Sequence, residues 1–296
     1  MRVRLLALVS AVALFVVVAV PAHAGTDGTQ SQGFSYLALG DSVPFGFSPL
    51  LNPADADNFI GYPEVVADRL HLQDVNATCP GEATGGFLSL TGTDNVCRFN
   101  RFVLMEPLHV SYTGTQMAFA LAYLHSHQKT RLVTLTLGAN DLFRWQKDCA
   151  VSATTGTCPL GLSGVFATMK ANLTNIFSKI RLTGYSGLIV AVTYYALDYK
   201  DAVGVFLTQT GESLTKAAGS AFDVKIASGF DAWAPVAATA GGSSCAAGLL
   251  IRTSATGCDV HPTPAGRDLL AGAVIDTVAA SCPANNAVAC LDKDNE

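Results

Sequence analysis

Short apolar runs alternate along this chain with longer stretches in which apolar residues recur every third or fourth position. The runs Phe34–Leu39, Leu72–Ala77, Leu132–Leu137, Leu188–Thr193 and Val224–Ser228 predict five strands. The third and fourth are almost continuous in apolar residues and threonine, as in strands covered on both faces. Phe166, Met169, Leu173, Ile176 and Ile180 form one apolar stripe, which predicts a helix from a cap at Ser163 to about Leu182, ended by Gly184. A second helix starts after Thr115 and turns Met117, Leu121 and Leu124 inward; a last one opens at Thr263-Pro264 and buries Leu270, Val274 and Val278. Ser48–Asn58 and Trp145–Gly161 fit neither period and read as loops. Strand–helix alternation predicts an α/β fold, a parallel five-stranded sheet between two helix layers. With no internal repeat and no Pro/Gly/Ser-rich divider, 34–296 reads as one domain.

The chain start changes the compartment. Arg2 and Arg4 precede an apolar run, Leu5–Val20, and Ala22-His23-Ala24 supplies small residues for cleavage, so 1–24 reads as a secretory signal peptide. The run is short for a bilayer span, which needs about 20 residues, and no later stretch is long and apolar enough. Residues 25–33, polar and glycine-rich, read as a flexible leader. The net charge of −5 would become −7 on cleavage, and no Lys/Arg cluster stands out, which argues against a nucleic-acid partner. All eight cysteines follow the signal segment, in neighbouring couples: Cys79 with Cys97, Cys149 with Cys158, Cys245 with Cys258, Cys282 with Cys290. In a secreted chain these read as disulfides. A zinc site would want spacings such as Cys-x-x-Cys, and none occurs.

In doubly wound sheets, ligands bind beyond the carboxyl ends of the strands. Ser42 of Gly40-Asp41-Ser42 follows the first predicted strand, Gly81 of Cys79-Pro80-Gly81-Glu82 the second, and Asn140 of Gly138-Ala139-Asn140-Asp141 the third. His261 lies far downstream in Asp259-Val260-His261-Pro262. A serine hydroxyl attacks only when a base takes its proton, and His261 is the natural candidate. The resulting oxyanion needs preorganised donors. The backbone N–H groups of Ser42 and Gly81 and the side-chain amide of Asn140 can supply them. Each motif alone is a common turn; the ordered set at strand ends points to an ester-cleaving serine hydrolase.

These four blocks resemble those of the SGNH hydrolases, the GDSL esterase/lipase family, over nearly all of the chain after residue 24. The wording around Cys79, Asn140 and His261 is most similar to secreted actinobacterial members. The resemblance implies a flavodoxin-like three-layer α/β/α sandwich, no metal and no organic cofactor. It also implies Ser42 as nucleophile, His261 as base, and Ser42, Gly81 and Asn140 as the oxyanion hole. The substrate it implies is an ester, of a lipid or an acylated carbohydrate. One position departs from the family. Its last block is usually Asp-x-x-His, but three residues before His261 stands Cys258, and Asp259 is only two before it. On an extended segment that shift turns the side chain to the other side. Asp259, a backbone carbonyl near Cys258, or an acid elsewhere could orient the imidazole. An acyltransferase using the same serine, or a binding protein of this fold, are the alternative functions.

Four further features stand beside this set. Asn76-Ala77-Thr78 and Asn172-Leu173-Thr174 match the glycosylation pattern. Asp41 and Asp141 read as turn braces. Tyr194, Tyr195 and Tyr199 follow the fourth strand, either lining a crevice or packing. His109, His125 and His127 read as structural or surface residues. Acyl length and oligomeric state are not legible.

Overall fold

The computed structural model describes residues 33–152, 161–282 and 291, so the signal-peptide reading and most of the leader lie outside the described residues. Five parallel strands, β1 (Ser35–Gly40), β2 (Gln73–Asn76), β3 (Thr130–Thr136), β4 (Leu188–Val192) and β5 (Val224–Ala227), form a sheet in the order β2-β1-β3-β4-β5. All five coincide with the predicted runs to within two residues. β6 (Leu250–Arg252) and β7 (Cys258–Pro262) pair antiparallel as a separate hairpin that the apolar pattern did not predict. The helices are α1 (Ser42–Phe45), α2 (Tyr62–Leu70), α3 (Thr84–Leu88), α4 (Cys97–Phe102) and α5 (Gln116–Ser126) in the first half of the chain. The second half adds α6 (Ala139–Ser152), α7 (Leu162–Leu182), α8 (Ala202–Gly219), α9 (Gly229–Thr239) and α10 (Pro264–Ala280).

Alternation within β1 splits the core into two layers. Tyr36 and Ala38 face Val66, Trp233, Leu270, Val274 and Val278 of α2, α9 and α10. Leu37 and Leu39 face Met117, Leu124, Met169, Leu173 and Ile176 of α5 and α7. Every β1 side chain is buried, as a strand with helices on both faces requires. This is the predicted α/β/α sandwich. Thr115 and Thr263 cap α5 and α10 as expected, accepting from the N–H of Ala118 and Gly266. The Ser163 cap is displaced: Gly161 caps α7.

Within Trp145–Gly161 the first part corrects the loop reading, and residues 153–160 lie outside the described residues. Residues up to Ser152 belong to α6. Gln146, Lys147 and Asp148 in mid-segment give it a loop-like polarity. Arg144 pairs with Asp148 one turn on at 2.9 Å, a spacing that supports a helix. Ser48–Asn58 is a loop as expected, apart from one short turn at Ala56–Asn58.

The strand order places a topological switch between β1 and β3: the chain steps from β1 out to β2 on one side and returns to add β3 on the other. Loops leaving the carboxyl ends of those two strands part there and open a crevice. Ser42 follows β1 and Asn140 follows β3, so both belong to this crevice.

Candidate active site

Ser42 is the first residue of α1, immediately after β1. Gly40 makes the turn with φ +134°, and a Cβ there would lie 2.1 Å from the Thr136 carbonyl oxygen of β3. Gln116 fastens this strand end, accepting from the Gly40 N–H at 2.5 Å and donating to the Gly40 carbonyl at 2.9 Å. Asp41 caps α1 by accepting from the Val43 N–H at 3.0 Å. The hydroxyl of Ser42, half-buried, is left for the cavity beside it.

His261 Nε2 stands 2.8 Å from Ser42 Oγ, bridging 219 positions of sequence. Its other ring nitrogen, Nδ1, contacts Asp259 Oδ1, which also accepts from the His261 backbone N–H at 3.0 Å. Of the three groups that could orient the imidazole, the geometry brings up Asp259. The reason is local: 258–262 is a strand, and residues two apart on a strand share a face. The hydrogen bond from His261 holds the Asp259 carboxyl below the usual carboxylate range. An ionised Asp259 favours the tautomer with the proton on Nδ1, leaving Nε2 to accept from serine. Phe47 packs its ring 4.9 Å from the imidazole, and the Tyr195 hydroxyl donates to the Val260 carbonyl at 2.7 Å. Tyr195 is itself stacked on Trp233 at 3.6 Å, so the β7 backbone rests on the core.

Asn140 is buried in the first turn of α6. Its Nδ2 lies 3.4 Å from Asp41 Oδ2, and its Oδ1 accepts from Asn95 Nδ2 at 3.1 Å. Gly81, on the loop after β2, has φ +83°, and a Cβ there would lie 2.3 Å from a Val96 methyl, so only glycine fits. Its carbonyl accepts from the N–H groups of Asn95 and Val96 at 3.0 and 3.3 Å. Cys79 is bonded to Cys97 and Cys245 to Cys258, so a disulfide flanks both Gly81 and His261. Cys149 and Cys282 are disulfide-bonded too, while Cys158 and Cys290 lie outside the described residues.

Asp41 does more than brace a turn. It is fully buried, and burial pushes its carboxyl up to about 6 against the opposing pull of hydrogen bonds from Tyr194 and Val43. The Tyr194 hydroxyl, itself raised by burial and by Asp41, donates to Asp41 Oδ2 at 2.5 Å. Tyr194 and Tyr195 line the crevice; Tyr199 instead packs against Phe230. Asp141 braces the neighbouring loop by accepting from Thr84 N–H and Oγ1 at 2.9 and 2.6 Å. Asn76 and Asn172 are engaged inside the structure, Asn76 donating to Pro44 O and Glu64, Asn172 to Thr84. His109 meets the Phe45 carbonyl at 3.0 Å, and His127 stacks on Tyr123, both in structural roles.

Ser42, Asn140 and His261 share one cavity of about 390 Å³, whose walls carry Leu135, Leu137, Leu142, Met169, Leu173 and Val192. That size suits a small-molecule site. Among the described residues, Glu82, Asp94 and Cys97 form a buried group of ligand-type side chains. It suits a cation poorly: Cys97 is in a disulfide, and Asp94 is paired with Arg98 at 3.2 Å.

A family model described as GDSL-like lipase/acylhydrolase matches residues 36–274. The chain belongs to this family. Membership makes it a carboxylic ester hydrolase. Among solved structures, an acetylxylan esterase from Geobacillus stearothermophilus is similar at TM-score 0.53 and 18% identity, over 83% of this chain and 94% of the esterase. An alpha/beta hydrolase from the metagenome of Lake Arreo, Spain, is similar at TM-score 0.50 and 16% identity, over 88% and 97%. At such identities the likeness concerns the fold. No curated protein sequence matches this GDSL-family chain significantly.

Proposed function

We propose that the chain is a secreted serine esterase or lipase that works through an acyl-enzyme on Ser42. The observation that carries this reading is the continuous path Ser42 Oγ, His261 Nε2, His261 Nδ1, Asp259 Oδ1. His261 takes the serine proton as Oγ attacks the ester carbonyl, and Asp259 stabilises the imidazolium that forms. The backbone N–H groups of Ser42 and Gly81 and the Asn140 amide receive the oxyanion. Collapse of the tetrahedral intermediate expels the alcohol, which takes its proton from His261. Water, deprotonated by the same imidazole, then releases the acid and restores the serine.

The acyl group sits in the leucine- and methionine-lined cavity. Its apolar walls favour aliphatic acyl chains over acetyl, because a short acyl group would leave most of that surface in contact with water. The neighbouring esterase acts on acetylated xylan; this cavity points to a different acyl preference. Export to an oxidising compartment is supported by the disulfides and by the 1–24 segment. Among the described residues, no helix is long and apolar enough to cross a membrane.

Hydrolysis of p-nitrophenyl esters from acetate to palmitate, by the oxidised protein beside Ser42→Ala, tests the reading. The expected result is turnover that peaks beyond acetate and collapses in the variant. Turnover that survives Ser42→Ala, or is absent on every ester, overturns it. Transfer of the acyl group to an added alcohol in preference to water would instead establish an acyltransferase.

A further inference from the structure

Only one end of an asparagine amide can stabilise an oxyanion. The NH₂ group donates; the carbonyl oxygen, of nearly the same size, would repel. A half-turn of the Asn140 amide would therefore convert a stabilising group into a harmful one. Something must hold the orientation.

On one side stands Asp41. Its carboxyl accepts from Val43 N–H and Tyr194 OH, so it presents acceptor oxygens, and the Asn140 Nδ2 faces it at 3.4 Å. That contact is long and its oxygen is shared with Tyr194. On the other side Asn95 Nδ2 donates to Asn140 Oδ1 at 3.1 Å. With one Nδ2 hydrogen turned towards Asp41 and Oδ1 held by Asn95, the second Nδ2 hydrogen is left for the oxyanion. Asn95 is also tied to the other loop of the hole, since its own N–H donates to the Gly81 carbonyl at 3.0 Å. The segment ends at Cys97, which is bonded to Cys79, two residues before Gly81.

We propose that Asn95 is a positioning residue of the oxyanion hole, fixing which end of the Asn140 amide faces the reacting carbonyl and tying that amide to the Gly81 loop. The inference rests on the roles of Ser42 and Asn140 proposed above.

The test is steady-state hydrolysis of p-nitrophenyl butyrate by Asn95→Ala, Asn95→Asp, Asn140→Ala and the double variant Asn95→Asp/Asn140→Ala. Removing a whole oxyanion donor typically costs about 10²–10³-fold in kcat. Asn95→Ala leaves Asp41 as the remaining guide, so a loss of about 10-fold in kcat is expected, short of that full cost, with KM unchanged. Asn95→Asp keeps the size but replaces the donor with an acceptor. It draws Nδ2 towards itself and turns the amide over, so its kcat should fall below that of Asn95→Ala, towards that of Asn140→Ala. In the double variant the aspartate should cost nothing beyond Asn140→Ala, because it acts through that amide. Near-UV circular dichroism checks the fold, and if Asn95→Ala does not fold, the nearly isosteric aspartate and the double variant carry the test. Asn95→Asp retaining as much kcat as Asn95→Ala, or losses that simply multiply in the double variant, overturn the role. Undiminished kcat in Asn140→Ala overturns the assignment of Asn140 itself, and Asn95 with it.

Discussion

Ser42 leaves a strand buried on both faces, whereas His261 sits on a two-stranded hairpin outside the main sheet. The first region is held by the whole fold: β1 pairs on both sides, and Gln116 fastens its end. The second is held by a few local ties, the Cys245–Cys258 disulfide, the Tyr195 bond to Val260 and the Thr263 N–H to the Leu249 carbonyl at 2.9 Å. The difference teaches that the two halves of the Ser42–His261 contact have unequal mechanical support. Damage to the sheet side should unfold the protein, while damage to the hairpin side should silence it.

The largest effects come from cutting the contact itself. Ser42→Ala and His261→Ala should each lower kcat by about 10⁴-fold or more with the thermal midpoint little changed. Both are read by steady-state hydrolysis at known protein concentration and a melting curve. A midpoint that falls together with kcat would mean that the side chain holds the fold and not only the contact. Next comes Asp259→Asn, which keeps the shape of the side chain but loses its charge and favours the wrong tautomer. A fall of about 10²–10⁴-fold in kcat, with KM nearly constant, is expected. Wild-type kcat would return the orienting role to a backbone carbonyl. A smaller effect follows from Cys245→Ser/Cys258→Ser. Release of the hairpin should lower kcat severalfold while the far-ultraviolet circular dichroism of the sheet and helices persists.

The smallest effect concerns pH and the loop that carries Gly81 and Glu82. Burial, with Asp94 adding to it and Arg101 opposing, pushes the Glu82 carboxyl up to about 8, and burial places Asp41 at about 6. A carboxyl raised in the folded state binds its proton more tightly there than in the unfolded chain. Its stabilising contribution is therefore full below its ordinary value, about 4.3 for glutamate, and is lost as pH rises through about 8. Asp41 finishes its loss near pH 6, so the interval from pH 6 to 8 isolates Glu82 within this pair. The urea midpoint should fall across that interval in the wild type and fall less in Glu82→Gln. Parallel curves would show Glu82 to be ionised throughout.

The same contrast explains what could be read from the sequence. The five sheet strands were legible because burial on both faces demands apolar runs, and Ser42 and Asn140 because they follow such runs. The β6–β7 hairpin was not: Leu249-Leu250-Ile251 is short, and Cys258–Pro262 carries Asp259 and His261 where an apolar pattern would be. Comparing Asp259 with position 258 hid the geometry that joins it to His261; the telling comparison was with His261 itself, two residues on and therefore on the same face of β7. Helix α6 escaped because its second half is rich in polar and charged residues such as Gln146, Lys147 and Asp148, although Arg144 and Asp148 pair at helical spacing. Asn95, Gln116 and the tie between Tyr194 and Asp41 act across loops distant in sequence, and no spacing rule joins them. The one available signal was Tyr194 itself, an aromatic with a polar tip directly after a core strand.

The 219 positions between Ser42 and His261 also order events during synthesis. A chain emerging from the ribosome releases Ser42 long before His261. Between those moments it can pair β1 with β2 and β3 and hold Ser42 in place, yet it lacks the histidine that stands 2.8 Å from the serine hydroxyl. On the proposed mechanism ester turnover has to wait for the last hairpin, so a fragment that stops before Cys258 is expected to stay inactive however well its sheet forms.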